Sequence, residues 1–187
     1  MMKRLLSILA VLSLMMTPAL AENAATEAAD APSSEITSAP RATTPPKDDR
    51  HPYLLDDFDS APVQLSQWKG KPTYLNFFTT WCTYCRAEMQ DLKQLQKEFG
   101  DSLRVVLVHI PANEDEATAK AYLEKEGLSD LDFVEDNGFF QYMYNIQGFP
   151  LSVIVDSEGY LSSFYSGVID ANTMREAVIA AGAKEVN

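Results

Sequence analysis

The chain has 187 residues, 46% of them hydrophobic and 22% charged, with 15 Lys and Arg against 27 Asp and Glu for a formal net charge of −12. That acidic balance argues against nucleic acid and anionic membrane surfaces as partners, since both repel it. Its only cysteines are Cys82 and Cys85, spaced C-x-x-C.

Residues 1–21 read as an export signal. Lys3 and Arg4 form a positive start, Leu5 to Met16 an apolar stretch, and Ala19-Leu20-Ala21 a small-residue cleavage site before Glu22. The apolar run is short for a membrane span, which makes cleavage the expectation and an uncleaved tether the alternative. No cysteine lies near the cleavage site, so lipid attachment there is excluded. With Lys3 and Arg4 gone, 27 acids face 13 bases, a net charge of −14. Export predicts a periplasmic, oxidising location, where a lone C-x-x-C needs a dedicated partner to stay reduced.

Residues 22–50 are rich in Ala, Thr, Ser and Pro, with Ile36 the only bulky aliphatic. Such a segment buries too little apolar surface to offset its ordering entropy and reads as a disordered linker. Residues 51–187 suffice for one compact domain. Within it, residues 53–65 suggest a β-hairpin turning at Asp59-Ser60-Ala61-Pro62. Thr73–Phe78 reads as a buried strand. A helix over about 83–99 follows, with Cys85, Met89, Leu92, Leu95 and Phe99 as its apolar stripe and Gly100 as its stop. Leu103–Ile110 is continuous enough in aliphatics for a central parallel strand. Asn113 with Glu116 suggests a capping box for a helix ending near Glu126 at Gly127. Leu131–Val134 reads as extended, Phe139–Tyr144 as a short helix, and Leu151–Val155 and Tyr160–Ser166 as paired strands around Asp156-Ser-Glu-Gly159. Asp170 caps a last helix with Met174, Ala177, Val178 and Ala181 inward. A β-α-β unit, then a hairpin and a helix, with C-x-x-C after the first strand, predicts an α/β thioredoxin-like fold carrying an N-terminal hairpin and a central helix-strand insertion.

The cysteines carry the chemistry. A strand that delivers Cys82 to a helix start offers its thiol unpaired backbone N–H groups and the positive end of the helix dipole, which stabilise the nucleophilic thiolate. Cys85, one turn later, is placed to resolve a mixed disulfide from within the chain. A zinc site would need further ligands, and the histidines, His51 and His109, lie away from the motif, so no metal is expected. A purely structural bridge across one helical turn would close too short a loop to stabilise much.

Over nearly its whole length the domain resembles the thioredoxin-like reductases of the TlpA/ResA type, relatives of the cytochrome c maturation thioredoxins. His51 through Lys71, ending Leu65-Ser-Gln-Trp-Lys-Gly-Lys71, looks like that family's N-terminal hairpin and lead-in. Leu75-Asn-Phe-Phe-Thr-Thr-Trp-Cys82 looks like its strand into the dithiol. Gly148-Phe-Pro150, an aliphatic strand and Asp156-Ser-Glu-Gly159 look like its later G-x-P and D-x-x-G pattern, and residues 111–135 fall where the family inserts a helix and strand.

The resemblance implies a redox-active Cys82–Cys85 disulfide, Cys82 attacking and Cys85 resolving, with no cofactor. It implies that Pro150 is cis beside the dithiol, that Phe149 offers its main chain to an extended substrate, and that Trp81 packs next to the pair. Glu88 shares a helix face with Cys85 and Leu92; a carboxylate aimed at a core has a raised pKa and is suited to exchange a proton with a thiol. Asn76 stands where thioredoxins proper carry a buried Asp, which supports moving that role to Glu88. Tyr84 replaces the family's frequent Pro before the second cysteine and resembles glutaredoxins and disulfide isomerases, which leaves the direction of electron flow open. Thr79 hints at the peroxiredoxin pattern, but Leu75 stands where its Pro belongs. His109, at a strand end, suggests packing rather than ligation.

The reading is an exported, monomeric thiol–disulfide oxidoreductase that reduces protein disulfides, for example in cytochrome c or copper-site assembly, and is recharged by a membrane electron donor. The alternatives are a disulfide oxidant or isomerase, or a non-catalytic partner-binding or copper(I)-carrying thioredoxin domain.

Overall fold

The computed structural model describes Asp57 and residues 59–186. The expected export signal (1–21), the linker (22–50), His51, residues 53–56 and 58 of the expected hairpin, and Asn187 lie outside the described residues. Residues 59–64 form a turn and bends without a strand. Leu65, expected to end the hairpin, instead opens a 3-10 turn, Leu65–Trp68. Its two ends are buried, and the Asp57 carboxylate accepts hydrogen bonds from the Ser66 N–H (2.9 Å) and Oγ (2.7 Å), holding the chain in the turn.

Five strands form one sheet: β1 (Thr73–Phe78), β2 (Arg104–His109), β3 (Asp132–Glu135), β4 (Leu151–Val155) and β5 (Leu161–Ser166), in spatial order β3-β2-β1-β4-β5. β1, β2 and β3 run parallel, while β4 lies antiparallel to β1 and β5 antiparallel to β4. β1 is central and buried along its whole length, so both its faces must be covered. Its alternation divides the core. Tyr74 and Phe78 face α1 (Thr83–Phe99), α2 (Glu116–Lys125) and α4 (Ala171–Ala180), while Leu75 and Phe77 face the 3-10 turn and α3 (Phe139–Met143). The expected extra helix and strand are α2 and β3.

The caps follow the sequence in one case and depart from it in another. Asp170 caps α4 as expected, its carboxylate accepting from the Thr173 N–H at 2.9 Å. The cap of α2 is Asp115, not Asn113: Asp115 Oδ1 accepts from the Thr118 N–H at 2.8 Å, and Asn113 lies in the preceding loop at φ 64°. The loop reaches the helix two residues later than expected because Glu114, between them, is drawn inward.

α1 ends at Gly100, whose φ of 49° suits glycine. A Cβ there would lie 3.1 Å from Val186 Cγ1, because the C-terminal tail folds back over this end of the helix. Val186 N–H donates to the Glu98 carbonyl (3.0 Å), and the Lys184 N–H donates to Ser102 Oγ (3.0 Å). Among the described residues no helix is long and apolar enough to cross a membrane.

Candidate active site

The dithiol sits where β1 runs out and α1 begins, at the C-terminal edge of the parallel strands. Cys82 is the N-cap of α1 and Cys85 lies in its first turn; the two are joined as a disulfide with Cα atoms 5.3 Å apart. Cys82 Sγ also accepts a hydrogen bond from the Cys85 N–H at 3.1 Å, taking up one of the amides that a helix start leaves without a partner. Cys85 is fully buried, whereas Cys82 keeps 7% of its surface exposed. Of the two cysteines, only Cys82 reaches the surface.

Glu88 is buried with the apolar stripe of α1, 1% exposed. One carboxylate oxygen accepts from Asn76 Nδ2 at 2.7 Å and the other from the Ile169 N–H at 3.3 Å. Burial raises its pKa from 4.5 to about 7, against the lowering effect of those two hydrogen bonds. Asn76 is the β1 residue opposite Ser152 of β4, and Tyr74 Oη donates to Ser152 Oγ at 2.8 Å. Glu88 thus ends a buried polar row of Tyr74, Ser152 and Asn76, and burial together with the Glu88 charge pushes the Tyr74 hydroxyl well up. Glu88 was legible as inward-facing from its helical spacing; Tyr74 and Ser152 were not singled out, although their alternation with apolar neighbours on adjacent strands was the available signal.

Trp81 is 54% exposed rather than a core aromatic. Its ring meets Phe149 edge to face, centroids 6.2 Å apart, and its Nε1–H donates to the Ala112 carbonyl at 2.8 Å. The Phe149–Pro150 bond is cis, and the Pro150 carbonyl accepts from the Gly167 N–H at 2.9 Å. Tyr84 is 70% exposed, and Thr79 is buried. Among the described residues no cluster of three His, Cys, Asp or Glu is arranged to hold a metal.

Residues 27–179 match the Redoxin family model. This chain belongs to the redoxin family. The redoxin is 32% identical over 125 residues to a thioredoxin-like protein, YneN, of Bacillus subtilis, spanning 66% of this chain and 73% of that one. It is 26% identical over 125 residues to the thiol-disulfide oxidoreductase ResA of Halalkalibacterium halodurans, spanning 66% and 70%. A solved thiol:disulfide interchange protein of the thioredoxin family from Chlorobium tepidum superposes with a TM-score of 0.57 at 27% identity, over 63% of this chain and 84% of that one. The redoxin is a thiol–disulfide oxidoreductase of the ResA type with a thioredoxin-like fold.

Proposed function

We propose that this redoxin is an exported reductase of protein disulfides that works through the Cys82–Cys85 dithiol, with Glu88 as its proton store. The observation that carries the reading is a buried carboxyl, titrating near neutrality, on the same helix face as the buried cysteine. The Cys82 thiolate attacks one sulfur of a substrate disulfide, forming a mixed disulfide and releasing the other sulfur as a thiolate. Cys85 gives up its proton and attacks Cys82 Sγ, which frees the second substrate thiolate and leaves the enzyme with the disulfide seen here. Two electrons have passed to the substrate. Burial disfavours a bare Cys85 thiolate, so a neighbouring group able to take its proton lowers the cost of that second step. Trp81, Phe149 and cis-Pro150 form the surface on which an extended substrate segment is held.

Export rests on the N-terminal sequence, and the oxidising compartment it implies requires a membrane electron donor to restore the dithiol. Reduction rather than oxidation is favoured because an ionised Glu88 repels a thiolate and Arg86 is the only base directly after the motif. The test is a Cys85→Ser variant, which accumulates mixed disulfides with target proteins through Cys82, together with alkylation of the reduced protein at mildly acidic pH, which labels Cys82 first. Prior labelling of Cys85, or no covalent trapping, overturns the assignment.

A further inference from the structure

The proton chemistry around Glu88 leaves a second buried polar cluster without a role. His109 ends β2 and is fully buried. Its Nδ1 lies 2.5 Å from Glu135 Oε2, its partner across the β2–β3 ladder, and its Nε2 lies 2.9 Å from Glu114 Oε1. The ring is enclosed by Phe78, at 5.5 Å between centroids, and Phe133, at 6.4 Å. Two such hydrogen bonds need two protons spread over three groups, either an imidazolium between two carboxylates or a neutral ring with one protonated acid.

Glu114 has a further attachment, and it leads to the dithiol. Its Oε1 accepts from the Thr80 N–H at 2.6 Å and its Oε2 from the Thr80 hydroxyl. Its side chain is only 6% exposed. Burial opposes its charge, but the bonds from Thr80 and His109 outweigh that and hold its carboxyl below the usual value. Thr80 lies two residues before Cys82, and the same β2–α2 loop supplies the Ala112 carbonyl that receives Trp81 Nε1–H. A carboxylate buried at this cost, with its acceptors shared between the Thr80 turn and the His109 ring, is a built contact rather than a solvated surface acid.

We propose that His109, braced by Glu135 and acting through Glu114 and Thr80, is a positioning residue that fixes the active-site turn and seats Trp81 for protein substrates. The inference rests on the oxidoreductase reading for its consequence, but its geometry is independent of Glu88. Loss of the brace leaves both cysteines in place and loosens Trp81. Reactions that need only the sulfur should therefore survive, while those that need a docked polypeptide weaken.

The experiment compares Thr80→Val, Thr80→Ser, Glu114→Gln and His109→Gln with the wild-type protein on insulin disulfides and on a small aromatic disulfide, alongside acrylamide quenching. Trp68 is buried, so quenching reports Trp81. Thr80→Val exchanges one hydroxyl for a methyl of similar size, the mildest of these changes, and serves if His109→Gln fails to fold. The expected result is roughly ten-fold loss of kcat/KM on insulin, mostly in KM, for Thr80→Val and Glu114→Gln. The small disulfide should react within about two-fold of wild type, quenching should rise, and Thr80→Ser should restore both. Wild-type quenching and insulin activity in Thr80→Val and Glu114→Gln overturn the proposal, as does an equal loss on both substrates. A wild-type protein inactive on insulin counts against the reductase reading instead, and the quenching comparison still decides the role of His109.

Discussion

Burial lifts the Glu88 carboxyl from 4.5 to about 7, so the folded protein holds this proton more tightly than the unfolded chain does. Stability from this group is greatest at low pH, falls as pH rises from about 4.5 to about 7, and is level beyond. A Glu88→Gln variant lacks that slope. Its stability relative to wild type should rise by about 3 kcal/mol between about pH 4 and pH 8 in urea titrations of the oxidised proteins. The loss of the Ile169 contact adds a constant offset that leaves the slope untouched, and parallel pH curves would assign the titration to another group. Asn76→Asp is the complementary change, since it sets a second carboxylate where the amide now donates to Glu88 at 2.7 Å. The pair should then release its last proton well above pH 7, seen as an upward shift in the pH profile of disulfide exchange. At this scale placement was readable in the sequence for the cysteines at the helix start, the cis Pro150 and the inward Glu88. It was opaque in Asn113-Glu-Asp-Glu116, where three neighbouring acids look alike. Folding puts each of them to a different use. Glu114 is buried on His109 and Thr80, Asp115 caps α2, and Glu116 pairs with Lys120 on the surface.

Among the elements, the strands and the helices came through because their apolar periods are distinct, continuous in β1 and β2 and every third or fourth residue in α1. The start of α2 was misplaced because Asn113 and Asp115 are both competent caps, and the choice is made by a tertiary contact through Glu114 that local spacing does not contain. The two assignments predict opposite mutational behaviour. Asp115→Ala should cost about 1 kcal/mol in denaturant unfolding, while Asn113→Gly, at a positive φ, should be neutral or slightly stabilising. The 3-10 turn at Leu65–Trp68 was missed for a similar reason, since its two buried residues and the Asp57 anchor define a turn only once the sheet supplies a surface to cover.

For the molecule as a whole, redox state and folding form one thermodynamic cycle. A reductase is the more stable protein when oxidised, an oxidant when reduced, and roughly 30 mV of potential corresponds to about 1.4 kcal/mol. With Glu88 buried on α1 three residues after Cys85, the oxidised form should unfold at higher denaturant than the reduced form, with equal m-values as the check on two-state behaviour. A more stable reduced form would move the protein to the oxidant or isomerase reading. The tail that folds over Gly100 carries a practical consequence for catching substrates. Val186 is bonded to the carbonyl of Glu98, sixteen residues along α1 from the Cys82 cap, which places it about 24 Å from the sulfur at the helix start. A bead, dye or purification handle joined beyond Val186 would leave the molecule at the end of that rod remote from the disulfide. The Cys85→Ser protein can thus be moored by its tail while the reactive sulfur stays open to whatever binds it.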